Sequence, residues 1–354
     1  MTEENRQNSI ETLRTERLQR LPSALLPWYG RYGRELPWRK DPTPYHVWIS
    51  EIMLQQTRIE AVKPYYARFL AEIPDIASLA AAEPDRLQKL WEGLGYYSRV
   101  RNLQAAAQQM VQQYGGEFPQ EYDQIRALRG IGDYTAGAIA SICFDLPTPA
   151  VDGNVLRVIA RITGDERPVT EEKVKASVRS ELAAVYPAQN CGAFTQALME
   201  LGEVLCLPNG SPDCADCPCR EFCASKDGGW EHLPVKAAKK ARRKEEYTVL
   251  ILRCGDAVAV RRRGEKGLLS GLWELPNVPG TLTEAEALQQ AAVWECEPAD
   301  IQPGEARVHV FTHVEWKMRC YTVLCARKSP QFVWAEAADF RERVALPTAF
   351  RKFL

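Results

Sequence analysis

Leu128-Arg129-Gly130-Ile131-Gly132-Asp133-Tyr134-Thr135-Ala136-Gly137 sets two glycines two positions apart ahead of a run of small side chains. The pattern predicts a hairpin that opens into a tightly packed helix. Glycine lets the backbone approach a partner closely, and the free amides of a helix N-terminus favour an anion such as phosphate. Taken by itself, the same stretch also fits a plain turn between two packed helices. Outward from it the chain keeps a helical rhythm from Leu18 to about Tyr186: Val155, Leu156, Val158, Ile159 and Ile162 recur at helical spacing, as do Val174, Val178, Leu182 and Val185. Turn-forming stretches punctuate it at 41–44, 115–116 and 146–149.

Length and composition set the outer bounds. A chain of 354 residues is long enough for two domains, each burying its own core. With 45% hydrophobic and 26% charged residues and no apolar run long enough to span a bilayer, it reads as globular and not membrane-inserted. Met1 to Ser9 is polar, without the basic start and apolar stretch of a secretory signal, so a cytoplasmic protein is expected. A net charge of -1 carries no global sign of nucleic-acid binding, which leaves that question to local features.

The character changes after a charged run in which Lys236, Lys239, Lys240, Arg242, Arg243 and Lys244 place six basic residues within nine positions. It reads as a linker over 235–246, either a solvated connector or a segment passing a DNA backbone. Beyond it, Tyr247 to Arg253, Ala257 to Val260, Arg307 to Thr312 and Arg319 to Ala326 carry strand signals. Thr283 to Trp294 is the one helical candidate among them, opened by a capping box of Thr283 and Glu286. The expectation is a helical domain over 1–234 and a small α+β domain over 247–354.

Four features carry chemistry. Cys206, Cys214, Cys217, Cys219 and Cys223 crowd into a short loop, which in a reducing compartment predicts a metal centre and not disulfides. Four thiolates enclose either zinc or an iron–sulfur cluster, and the spacing alone does not decide. Glu51 lies in Val47-Trp48-Ile49-Ser50-Glu51-Ile52-Met53-Leu54, where apolar neighbours raise a carboxyl pKa and make a general acid; the alternative is a surface charge on an amphipathic helix. Asp152 directly precedes the Val155 to Ile162 periodicity and on local sequence reads as a helix N-cap. Finally, Trp91-Glu92-Gly93-Leu94-Gly95-Tyr96-Tyr97, followed by Arg99 and Arg101, suits insertion into a base stack with phosphate contacts behind it, or else supplies core aromatics.

Together these motifs resemble the helix-hairpin-helix DNA glycosylases, and among them the MutY adenine glycosylases. The resemblance rests on Leu-Pro-Trp-Arg at 36–39, Ser-Glu-Ile-Met-Leu-Gln-Gln-Thr at 50–57, Gly-Leu-Gly-Tyr-Tyr at 93–97, the hairpin at 128–137, Val-Asp-Gly-Asn-Val at 151–155 and the cysteines. It implies an all-α helix-hairpin-helix domain of two lobes with the active site in the cleft, a [4Fe-4S] loop over 206–223, and a C-terminal Nudix-like domain that reads the lesion. The implied activity is removal of adenine mispaired with 8-oxoguanine or guanine in double-stranded DNA, by a monomer. By position, Glu51 resembles the acid that protonates adenine N7, Asp152 the carboxylate beside the sugar, and Tyr134 and Asn154 their supporting partners. Gln56, Thr57, Leu94 and Tyr96 match residues that wedge the duplex open and contact the 8-oxoguanine, Gly130 and Gly132 the DNA-binding hairpin, and Arg34, Trp38 and Arg39 the adenine pocket. Cys206, Cys214, Cys217 and Cys223 match the cluster ligands.

Tyr134 stands where bifunctional relatives resembling endonuclease III carry a Schiff-base lysine, so the resemblance implies an enzyme that leaves the strand intact. Three departures from the family pattern are plain. The first cysteine gap holds seven residues instead of six and Cys219 is left over; the lesion-reading Phe-Ser-His appears as Phe311-Thr312-His313; and Leu288-Gln289-Gln290-Ala291-Ala292 replaces the paired glutamates of a Nudix hydrolase helix. That last departure disfavours a nucleotide hydrolase, retention of Glu51 and Asp152 disfavours a non-catalytic DNA-binding protein, and the C-terminal domain disfavours a thymine or uracil glycosylase.

Overall fold

The computed structural model describes residues 3–237 and 241–354, with side chains from Glu11 onward. Lys239 and Lys240 of the basic run, and the polar start Met1 to Ser9, lie outside the described side chains. Backbone contacts sort the chain into two compact units, Met1–Ala81 with Asn102–Ala238, and Ala82–Arg101 with Lys239–Leu354. Among the described residues no helix is long and apolar enough to cross a membrane.

The first unit is helical. The helix Cys191–Val204 packs against Leu21–Tyr32, Asp133–Phe144 and Gly153–Thr163. Its Phe194, Ala197, Leu198 and Leu201 meet Leu21, Leu25, Val155, Val158, Ile159 and Ile162 in one core. Each large apolar side chain so buried contributes roughly 1.5–3 kcal/mol. The helix Gly153–Thr163 is buried from Val155 to Thr163, Arg157 and Arg161 included. Its charges are tolerated because the guanidiniums reach backbone carbonyls: Arg157 donates to Cys206 O at 2.9 Å and Gly202 O at 2.7 Å, and Arg161 to Leu233 O at 3.0 Å and Leu207 O at 2.8 Å.

Two turns set the entry to this helix. The hairpin joins the short helix Tyr122–Ala127 to Asp133–Phe144, so the predicted helix-hairpin-helix is present. A Cβ at Gly137 would stand 2.3 Å from the Pro149 carbonyl oxygen, so the chain at 149–150 lies directly on the second hairpin helix. That approach brings Asp152 back beside Tyr134.

The second unit is built on a mixed sheet. Its strands are β1 (Arg243–Cys254), β2 (Ala257–Arg262), β3 (Trp273–Glu274), β4 (Asn277–Pro279), β5 (Pro298–Pro303), β6 (Arg307–Val310), β7 (Val314–Cys325) and β8 (Val333–Ala335). The order β3-β2-β1-β7-β5 puts β1 and β7 side by side and parallel, from Arg243 opposite Val314 to Arg253 opposite Leu324. β1 is buried on both faces. Val249 and Ile251 join Trp316, Met318, Leu346 and Phe350 in one core, while Leu250 and Leu252 join Tyr321, Val323, Ala287 and Ala291 in the other. This explains its unbroken apolar run, since a strand covered on both sides has no polar face to show. The helix Glu284–Val293 forms where expected, and its capping box closes both ways, with Thr283 N donating to Glu286 Oε2 at 2.7 Å.

The structure departs from the sequence reading at two boundaries. Residues 243–246, which the sequence places at the end of the linker, are the first rungs of β1, paired with 314–317. Their charges hid the strand because its partner lies far along the chain. Residues 82–101, assigned by sequence order to the helical domain, group with the second unit. Lys89 Nζ donates to Phe340 O at 2.5 Å, Glu92 Oε1 accepts from Leu346 N at 2.9 Å, and Arg262 pairs with Asp85.

Candidate active site and cysteine loop

Glu51 sits in the helix Pro44–Leu54, capped by Thr43 and buried from Tyr45 to Met53. The surface-charge alternative fails, for Glu51 is only 6% exposed. Tyr134, in the first turn of the second hairpin helix, donates from Oη to Glu51 Oε2 at 2.6 Å. Burial pushes the Glu51 carboxyl up to about 7, against the opposing pull of the Tyr134 hydrogen bond; Asp152 adds to the rise and Arg39 subtracts from it. Burial also raises the Tyr134 phenol well above its usual value, so it stays a neutral donor.

Asp152 caps a helix and also lines the cleft. Its Oδ1 accepts from Val155 N at 2.7 Å as the N-cap of Gly153–Thr163, and its carboxyl faces the same cleft as Glu51 and Tyr134. Burial raises its pKa, the amides of Val155 and Asn154 and the Arg157 charge pull it down, and the net effect is upward. The cleft encloses about 1080 Å³ and is lined by Arg34, Trp38, Arg39, Gln56, Thr57, Asn154, Glu200 and Glu203 among others.

One wall is an ion cluster that sequence reasoning did not find. Glu200, fully buried, accepts from Arg34 Nε at 2.5 Å and from Arg39 Nη2 at 2.8 Å, while Arg39 Nη1 donates to the Arg34 carbonyl at 2.9 Å. Burial alone would raise the Glu200 carboxyl, but the two guanidiniums hold it below its usual range. The signal was present: Phe194, Ala197, Leu198 and Leu201 mark the buried face of the helix Cys191–Val204, and Glu200 falls among them. Trp38 is buried edge-on against Tyr66, with ring centroids 5.4 Å apart. Asn154 Nδ2 donates to Glu203 Oε1 at 2.7 Å, a second carboxylate the sequence reading passed over.

The residues expected to meet DNA occupy several places. Gln56 is exposed with φ of 57°, a left-handed conformation, and Thr57 follows it at the rim of the cleft. Gly130 has φ of +78° and backs onto Asn102, and Gly132 is the exposed N-cap of the second hairpin helix. In the second unit Tyr96 is exposed, also at positive φ, whereas Leu94 is buried at 7% exposure. Arg99 stacks over Trp91 and Tyr96 and donates to the Leu94 and Gly95 carbonyls at 3.0 and 3.1 Å, which fixes that turn. Tyr96 Oη lies 3.2 Å from Thr312 Oγ1; Thr312 and His313 are exposed between β6 and β7, and Phe311 packs on Trp316.

The cysteines separate cleanly. Cys206, Cys214, Cys217 and Cys223 line one small cavity with Val158, Ile162, Leu201, Leu205 and Trp230, whereas Cys219 is fully buried in the core beside Phe222. Cys219 donates toward the Cys217 sulfur and holds that thiol below its usual value. Arg161 Nη1 donates to Cys206 Sγ at 3.4 Å. Among the described residues no three His, Cys, Asp or Glu side chains are grouped to hold a single metal ion.

Residues 49–183 match the HhH-GPD superfamily base excision DNA repair protein family, and 247–354 match the NUDIX domain. The adenine DNA glycosylase of Rattus norvegicus is 32% identical over 93% of this chain and 76% of its own length, and that of Homo sapiens 32% identical over 93% and 72%. In fold, the chain is similar to a thermostable thymine-DNA glycosylase, with a TM-score of 0.54 and 24% identity over 60% of this chain and 97% of that one. With both domains matched in order and the similarity running through nearly the whole length, the chain belongs to the MutY family of adenine DNA glycosylases and is a DNA glycosylase of base excision repair.

Proposed function

We propose that this enzyme hydrolyses the N-glycosidic bond of adenine mispaired with 8-oxoguanine, and also with guanine, and leaves an abasic site in an uncut strand. The observation that carries the reading is the buried Glu51 carboxyl, raised to about 7 and hydrogen-bonded to Tyr134 across a cleft it shares with Asp152. An adenine anion leaves poorly and the sugar turns cationic as the bond breaks. Protonated Glu51 donates to adenine N7, and the Asp152 carboxylate stabilises the cation, so the two groups act on opposite ends of one bond. The division of labour parallels the paired carboxylates of glycoside hydrolysis.

Adenine reaches the cleft by leaving the base stack, at an expense of a few kcal/mol. Gln56, Thr57, Leu94 and Tyr96 support the opened duplex, Gly130 and Gly132 offer hairpin amides to phosphate, and Arg34, Trp38 and Arg39 flank the adenine pocket. Phe311, Thr312 and His313 read the 8-oxoguanine. Cys206, Cys214, Cys217 and Cys223 hold a [4Fe-4S] cluster, whose contribution when bound is to order the loop that carries them.

The Tyr134 phenol forms no Schiff base, so strand cleavage is absent. A Tyr134→Lys variant is expected to gain lyase activity, seen as a borohydride-trapped enzyme–DNA adduct; an untrapped, monofunctional variant would remove the role given to this position. The function itself is tested with duplexes bearing adenine opposite 8-oxoguanine, adenine opposite guanine, or an ordinary adenine–thymine pair, followed by alkali. Abasic sites in the first two alone support the reading, and excision of thymine or uracil instead, or none at all, overturns it.

A further inference from the structure

Glu203 is a cleft carboxylate that the proposed chemistry leaves unused and that, unlike Glu200, is not held in the ion cluster with Arg34 and Arg39. It lies in the last turn of the helix Cys191–Val204, lines the cleft and accepts from Asn154 Nδ2 at 2.7 Å. Asn154 has little freedom to leave it. A Cβ at Gly202 would stand 2.9 Å from Asn154 Cβ, so the two helices touch backbone to side chain at this point, and the next residue, Val155, is tied by its amide to the Asp152 carboxylate. Where helices approach that closely, a side-chain amide is set by its hydrogen bond and not by rotamer averaging.

We infer that Glu203 is a positioning residue for the sugar side of the site: it fixes the orientation of the Asn154 carboxamide and adds negative charge beside Asp152 where the sugar becomes cationic. The inference rests on the adenine-excision reading above and goes one residue deeper. Because Glu203 takes the Asn154 amide protons, the Asn154 carbonyl oxygen is the end left for other partners, and a bidentate swap of the amide is disfavoured. The charged and titratable groups facing Asp152 are Glu51 from the helix Pro44–Leu54, Tyr134 from Asp133–Phe144, Arg157 from its own helix and Glu203 from Cys191–Val204. Of these, Glu203 alone is exposed, and its charge raises the carboxyl of Asp152 while the Arg157 charge lowers it.

The two contributions separate by substitution. Glu203→Gln keeps an acceptor for Asn154 and removes the charge; Glu203→Ala removes both. In single-turnover excision from an adenine:8-oxoguanine duplex, Glu203→Ala is expected to fall about tenfold in rate, with Glu203→Gln restored to within about threefold of the parent enzyme. In both variants the acid limb of the rate profile moves to lower pH, because removing a neighbouring negative charge eases ionisation of Asp152. Affinity for an uncleavable duplex stays within about twofold, since neither change touches the hairpin amides. Unchanged rate and unchanged acid limb in Glu203→Ala would overturn the inference, as would equal loss in both variants accompanied by weakened DNA binding, which marks a direct DNA contact. A parent enzyme that excises no adenine defeats the functional reading instead, so the two failures are distinct.

Discussion

Glu51→Gln is expected to cut excision sharply while making the folded protein more stable at alkaline pH. The amide cannot give a proton to adenine N7, and loss of a general acid lowers the rate by about 10²- to 10⁴-fold. Duplex binding persists, because Glu51 lies inside the cleft. The stability change follows from linkage. A carboxyl whose folded pKa is raised to about 7 from an ordinary 4.5 stabilises the protein fully below the unfolded value and loses that contribution as pH rises through the folded one. Above pH 7 the buried charge therefore works against the fold by roughly 3 kcal/mol, and the neutral amide relieves it. Thermal melts of the two proteins at pH 5 and pH 8 read this directly: the gap should open only at the higher pH. In the parent enzyme the excision rate should fall as pH rises through about 7, as the acid form is titrated away. A glutamine variant that still excises adenine at a tenth of the parent rate would mean another group supplies the proton.

Asp152→Asn makes the complementary case, because it removes charge without removing the cap. Asn and Asp cap helices about equally well, so the 2.7 Å bond from Val155 N can be kept by an amide oxygen and the helix Gly153–Thr163 should stay in place. If Asp152 were only a cap, the variant would be nearly as active as the parent. The expectation is a loss of about 10²- to 10³-fold in single-turnover rate, the usual scale for removing one preorganised electrostatic group, with melting temperature and DNA affinity close to those of the parent. Restoring near-parental activity in this variant would reduce Asp152 to a structural role. Since its pKa is raised by burial, the acid limb of the parent profile should lie above the ordinary aspartate range.

Both variants turn on residues that could be nominated from the chain alone, though not for the reason that makes them work. Glu51 stood out as a carboxylate among large apolar neighbours, yet the same stretch fits an exposed helix face; only the packing of Pro44–Leu54 under Asp133–Phe144 buries it. Asp152 was legible as a cap, and its second face became visible once Pro149 was seen to lie against Gly137. Arg34 and Arg39 were placed near the pocket by motif, but that they share one buried carboxylate depends on Glu200, 161 residues beyond Arg39.

The sequence by itself determined what is local. Helical and strand periods, the Thr283 and Glu286 capping box, the glycine hairpin and the cysteine crowding are short-range patterns, each set by backbone geometry within a few residues, and each is present in the fold. The tertiary structure alone decided what depends on closing long loops: the parallel pairing of β1 with β7, the grouping of residues 82–101 with the second unit, and the meeting of Asn154 with Glu203. Such partners are tens of residues apart or more and leave no mutual spacing to read, because the distance between them is set by how cores pack and not by how the chain is spelled.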